Sequence, residues 1–202
     1  MKLYSMTGAC SLASNIALRE AGLKFEIAKV DRKTRIASDG VDYREINPKG
    51  YVPALKLDDG QILTENDAVL QYIADRNPAA QLAPPQGSFE RYRLVEWLSF
   101  ISTELHKSFT PMFRAEAPAE AKAYAGKVVA GRLDYLEKAL GHRTFLMGEH
   151  FTVADAYLYV VLGWGAGVDI QLARWPQLQR FHERVGARPH VIEARKSDGL
   201  LK

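Results

Sequence analysis

Lys2-Leu3-Tyr4-Ser5-Met6-Thr7-Gly8-Ala9-Cys10-Ser11-Leu12 decides how the rest of the chain reads. Leu3 and Tyr4 open an apolar strand, Thr7-Gly8-Ala9 supplies a turn, and Ser11 is placed to cap a helical stretch from Leu12 to Ala21. The single cysteine of the chain falls at this strand–helix junction. A thiol there faces free backbone N–H groups and the positive end of the helix dipole, both of which favour thiolate. A lone cysteine is equally a small apolar residue packed in a core. Position alone leaves both readings open.

Outward from this junction, Leu23, Phe25 and Ile27 alternate with Lys24 and Glu26, the pattern of a half-buried strand. Ala54 to Leu57, Asp58-Asp59-Gly60 and Gln61 to Leu63 read as a hairpin, because Asp-Gly is strong turn chemistry. Asn66 to Arg76 carries Ala68, Val69, Tyr72 and Ile73 at helical spacing. Strand, helix, strand, long connection, hairpin and helix make an α/β region with a small mixed sheet over residues 1–77. A Pro-rich linker over 78–87 follows, and then an all-helical region over 88–202. In that region Leu94, Trp97, Leu98, Ile101 and Leu105 keep helical steps, and further helices are predicted from about Ala119 to Leu140, Val153 to Gly163 and Pro176 to Val185. Thr152-Val153-Ala154-Asp155 fits a capping box, a folding device rather than chemistry, with Phe151 placed to staple onto Ala156 or Tyr157. Gly163, Gly165 and Gly167 lack phosphate-loop spacing and read as packing or turn glycines.

Composition narrows the function classes. The net charge of +3 is spread along 202 residues, and the Lys29, Arg32, Lys33, Arg35 cluster is interrupted by Asp31. No nucleic-acid partner is expected from so dilute a basic surface, although an anionic small molecule fits it. The apolar stretch Ala156–Leu162 is too short to span a bilayer, so no membrane partner is expected. No signal sequence is read in the first residues, and one cysteine allows no intrachain disulfide, so a cytoplasmic location is expected. The five histidines have no metal-ligand spacing, and no metal is expected.

Three further features stand beside Cys10 as candidates. Val52-Pro53 precedes a strand, where proline marks a start or bend and a cis bond can occur. The Val52 N–H and C=O could then pair with an extended peptide ligand. Thr64-Glu65-Asn66-Asp67 sits at a helix start, where free N–H groups hold carboxylates and Glu65 could accept an ammonium. Ordinary capping explains the same residues. Ser99, Thr103 and His106 share one face of the long helix, with Glu104 and Lys107 alongside. That face is either a solvated surface or a cationic partner for a thiolate or carboxylate.

The motifs Gly8-Ala9-Cys10-Ser11-Leu12, Asn47-Pro48-Lys49-Gly50 with Val52-Pro53, Leu63-Thr64-Glu65, Thr103-Glu104-Leu105-His106-Lys107 and Phe151-Thr152-Val153-Ala154-Asp155-Ala156-Tyr157 together resemble the cytosolic glutathione transferases, and among them the bacterial beta class. The resemblance covers essentially the whole chain. It implies an N-terminal thioredoxin-like domain that binds glutathione, and a C-terminal helical bundle that holds the acceptor-substrate pocket and homodimer contacts. It further implies that Cys10 contacts or covalently pairs with the glutathione sulfur, with His106 as a second catalytic residue. Ser11, Arg35, Val52, Pro53, Glu65, Asn66, Ser99, Thr103, Glu104, His106 and Lys107 complete the implied glutathione site, some of them across a dimer.

The activity so implied is detoxifying conjugation of the glutathione thiol to hydrophobic electrophiles. A glutathione-dependent thiol–disulfide or peroxide reductase acting through Cys10 is the near rival, and a non-catalytic ligand-binding protein of the same fold is a third reading. This sequence departs from the family pattern in having Asn66 where a smaller residue is usual, Ser99 for Asn and Arg35 for Lys. The arginine preserves the charge, and its planar fork suits a carboxylate. Ser5 stands where a tyrosine is common, which argues against a tyrosine-activated thiol.

Overall fold

The computed structural model describes residues 1–201. It divides into two compact units: Met1–Ala83 together with the C-terminal stretch from Ala187, and Pro84–Gly186. The first unit is built on a four-stranded sheet of order β2-β1-β3-β4, formed by β1 (Lys2–Ser5), β2 (Glu26–Lys29), β3 (Ala54–Lys56) and β4 (Ile62–Thr64). β1 runs parallel to β2 and antiparallel to β3, and β3 pairs antiparallel with β4 through the expected Asp-Gly hairpin. The strand read from Leu23 begins instead at Glu26, and Ala28 is its buried side chain.

Both faces of β1 are covered. Tyr4, Met6, Ala28, Val30, Tyr43, Val52 and Ala54 form one buried cluster. Leu3 and Leu55, opposite one another in the register, point the other way by strand alternation and are fully buried. Helices α1 (Ser11–Glu20) and α3 (Asn66–Arg76) pack together, and a short α2 (Tyr43–Ile46) lies in the long connection before β3. The Pro-rich linker is more ordered than its composition suggests, with a 3-10 turn over Pro78–Ala80 and a buried Leu82.

The second unit holds α4 (Phe89–Ser99), α5 (Thr110–Phe113), α6 (Ala119–Leu140), α7 (Val153–Gly163) and α8 (Pro176–Gly186). Ser88 caps α4 by accepting from the Arg91 N–H at 3.2 Å. Beyond Ser99 the helix widens into a π-helix over Phe100–His106 and tightens into a 3-10 turn over Lys107–Phe109. The helical periodicity gave no sign of this change. The capping box at α7 forms, with Asp155 fully buried and accepting from the Thr152 N–H, the Thr152 hydroxyl and the Leu146 N–H at 2.7–2.8 Å. Phe151 meets Phe145 edge-on at 5.7 Å, a ring contact the expected staple did not include. At Gly165 a Cβ would lie 2.7 Å from the Ile170 carbonyl oxygen, so this glycine is required by packing.

One boundary differs from the sequence reading. Helix α9 (Pro189–Asp198), which helical periodicity groups with residues 88–202, lies in the first unit and packs on α1. Arg188 clasps Glu20 through two contacts of 2.7 and 2.8 Å, and the Asn15 amide donates to Ser197 Oγ at 3.0 Å. These partners are more than 160 residues apart in sequence, beyond any local pattern.

Candidate active site

Cys10 is the N-cap residue of α1, in place of Ser11. Ser11 is itself the first helical residue and fully buried, with its hydroxyl within bonding distance of both the N–H and the carbonyl of Met6. It therefore holds the turn before Cys10 and has no exposed surface to offer a ligand. Cys10 is buried, and its Sγ donates to the Val52 carbonyl at 3.3 Å. The two open readings of this residue thus meet: it is packed, and it stands at a helix N-terminus.

Val52 is joined to Pro53 by a cis peptide bond, and both residues are buried. The segment before it is pinned by residues not singled out from sequence as site residues. The Tyr43 hydroxyl and the Asn47 side-chain N–H each donate to the Tyr51 carbonyl at 2.7 Å. Burial pushes the Tyr43 hydroxyl pKa up to about 12, so it stays a donor at any physiological pH. Arg35, with a positive φ of 64°, donates to the Gly50 carbonyl at 3.2 Å and approaches Met6 Sδ at 3.6 Å. The motif Asn47-Pro48-Lys49-Gly50 was the available signal for this support.

At the start of α3, Glu65 is the N-cap residue, with φ at 68°. Its side chain is 69% exposed and forms an ion pair with Lys49 at 2.5 Å, while Lys49 also donates to Thr64 Oγ1 at 2.9 Å. Asn66, in the first turn of α3, turns its side chain inward. Its side chain is buried and accepts from the Ser14 hydroxyl at 2.9 Å, while its Nδ2 is buried without a hydrogen-bond partner. What Asn66 presents to a ligand is therefore its place in the first turn of α3, with the amide directed inward against α1.

In the helical unit, Ser99, Thr103, Glu104, His106 and Lys107 lie along the end of α4, the π-helix and the following turn. Thr103 donates its hydroxyl to the Ser99 carbonyl at 2.8 Å, and Glu104 pairs with Arg132 of α6 at 2.5 Å. His106 Nδ1 lies 2.6 Å from the Tyr157 hydroxyl, and its ring stands edge-on to Trp164 at 4.6 Å. Burial, and secondarily the charge of Lys107, lowers its pKa to about 4. His106 is consequently neutral near pH 7, which leaves Lys107 as the cation of this pair. Phe109 and Phe113 complete an aromatic wall on Trp164, at 6.0 and 5.9 Å. Among the described residues, no group of three His, Cys, Asp or Glu side chains could hold a metal ion, and no helix is long and apolar enough to cross a membrane.

Residues 8–76 match the family model for the glutathione S-transferase N-terminal domain, and residues 100–189 match that for the C-terminal domain. The chain is 45% identical over 200 residues to glutathione S-transferase GstA of Escherichia coli O157:H7, covering 99% of this chain and 100% of the relative. A sphingomonad glutathione S-transferase complexed with glutathione matches at 50% identity and a TM-score of 0.96, over 99% of this chain and 100% of its own. The bacterial beta class enzyme of Sphingomonas chungbukensis matches at 48% identity and a TM-score of 0.96, over the full length of both chains.

Proposed function

The chain belongs to the glutathione S-transferase family, and we propose that it joins the thiol of glutathione to hydrophobic electrophiles. The observation that carries this reading is the Cys10 thiol on the Val52 carbonyl, beside a cis proline and a pinned Gly50–Tyr51 segment. An extended tripeptide pairing with Val52 brings its cysteinyl sulfur to the N-terminus of α1. There the positive end of the helix dipole favours thiolate. The glutathione sulfur then attacks the electrophilic carbon, the new C–S bond forms, and the leaving group departs with its electron pair.

Each remaining residue has a role within that reading. Glu65 accepts the γ-glutamyl ammonium, and the α3 N-terminus at Asn66 receives the γ-glutamyl carboxylate. Arg35 approaches the glycyl carboxylate, with donors beyond the one it gives to Gly50. Pro53 sets the direction of Val52, and Ser11 holds the Cys10 turn through Met6. From the helical unit, Ser99, Thr103, Glu104, His106 and Lys107 supply further polar contacts, with His106 acting as a neutral hydrogen-bonding group. The aromatic wall of Phe109, Phe113 and Trp164 suits an apolar acceptor. Trp97, Phe100 and Tyr135, which meet edge-on or tilted at 5.1–6.3 Å with Tyr135 half exposed, support a homodimer contact. Detoxification in the cytoplasm is the biological setting of this proposal.

Titration calorimetry of Glu65→Ala tests the glutathione site. Loss of a charge-assisted hydrogen bond is expected to weaken glutathione binding by about 2–3 kcal/mol. An unchanged affinity would remove Glu65 from the site.

A further inference from the structure

Helix α9 ends at Asp198, followed by Gly199 at φ 80°. The Asp198 side chain is fully buried and divides its two oxygens between two partners. Oδ1 takes the Lys29 ammonium of β2 at 2.5 Å, and Oδ2 accepts the Gly8 backbone N–H at 2.8 Å. A carboxylate out of water is tolerated when paired and hydrogen-bonded in this way: removing Lys29 leaves its charge uncompensated, and removing the Gly8 N–H leaves an oxygen without a donor. Gly8 holds φ at 73°, which a residue with a Cβ adopts only under strain, and the turn closes through Ala9 N–H to the Met6 carbonyl at 3.1 Å. Two residues later comes Cys10. The opposite edge of the same turn is held by Arg32, which donates to the Thr7 carbonyl at 3.2 Å.

We propose that Asp198, together with Lys29, is a positioning residue for Cys10: the C-terminal helix anchors the Gly8 turn and so keeps the thiol against Val52. Independently of that anchor, α9 is tied to α1, the helix that Cys10 caps, at three separate points: Arg188 to Glu20, Glu193 to Arg19 and Ser197 to Asn15. One carboxylate thus joins the last helix, the edge strand and the turn before the thiol. The consequence for catalysis rests on the transferase reading above; the positioning itself does not.

Because Cys10 is the single cysteine, alkylation of the full chain by iodoacetamide, followed by mass spectrometry, reads its accessibility alone. In Asp198→Asn the Lys29 ammonium claims the remaining carbonyl oxygen and turns the amide NH₂ toward Gly8, so the turn loses its acceptor. Alkylation well below the melting temperature is expected to accelerate about fivefold, the equivalent of one typical hydrogen bond. Lys29→Met/Asp198→Asn frees the amide oxygen to face Gly8 again and is expected to restore the wild-type rate. Arg188→Ala loosens the same helix without touching the turn, and is expected to lower the melting temperature while leaving alkylation at the wild-type rate. Wild-type-like alkylation in Asp198→Asn, equal acceleration in Arg188→Ala, or no restoration in the double variant would overturn the assignment. Hydrogen exchange at the wild-type Gly8 amide gives a reading free of substitution: protection of roughly tenfold or more is expected, and a free-amide rate contradicts the proposal. None of these readings involves glutathione, so they stand or fall apart from the transferase reading. The glutathione kcat/KM is expected to fall with Asp198→Asn and recover in the double variant.

Discussion

Replacing His106 by Gln should remove a defined part of the protein's sensitivity to acid. In the folded chain the imidazole is packed against Tyr157 and Trp164 beside Lys107, and its pKa falls from the ordinary 6.5 to about 4. The unfolded chain therefore binds the proton more readily, and stability is lost as pH falls from 6.5 toward 4. At one pKa unit per 1.36 kcal/mol, this group alone costs about 1.4 kcal/mol at pH 5.5 and about 2.5 kcal/mol at pH 4.5 relative to pH 7.5. Gln cannot titrate, so the offset between the two proteins from lost ring contacts stays constant with pH. Urea denaturation of both proteins at pH 4.5, 5.5, 6.5 and 7.5 isolates the term, and the wild type should lose its advantage by those amounts on acidification. A stability difference that does not change over this range would refute a neutral, partly buried His106. So would a difference that grows on acidification.

Two further outcomes follow from the same geometry. Asp155→Ala leaves the Thr152 N–H, the Thr152 hydroxyl and the Leu146 N–H without their acceptor in a buried site; at about 1–3 kcal/mol for each unsatisfied group, denaturation should show a loss of at least about 3 kcal/mol. If Cys10 exchanges with disulfides, incubation with oxidised glutathione should add one glutathione per chain by mass, and Cys10→Ala should abolish that adduct while retaining conjugation. Absence of the adduct over pH 6–9, around the ordinary thiol pKa of about 8.5, leaves Cys10 as a contact residue.

What was legible in the sequence was local. The Asp58-Asp59-Gly60 turn, the α3 span and the α7 capping box are each set within a few residues, and all three formed as read. The Cys10 junction was visible for the same reason, although the cap moved from Ser11 to Cys10 because the Ser11 hydroxyl is engaged by Met6. What escaped depended on distant partners. His106 is made neutral by burial beside Tyr157, which lies 51 residues away, so its neighbour Lys107 was the poorer guide to its charge. Asn66 turns inward because Ser14 is waiting on α1. The π-helix at Phe100–His106 has no composition signature, and α9 joins the first unit through ion pairs that no periodicity encodes.

The central claim, that this chain is a glutathione-conjugating enzyme, is tested most directly by steady-state turnover of a chlorinated nitroaromatic with glutathione, following the thioether formed and the chloride released. The rate is expected to be proportional to enzyme, to saturate in glutathione and to survive in Cys10→Ala at a reduced level. A rate indistinguishable from that of the two reagents without protein, across a panel of apolar electrophiles, would contradict it.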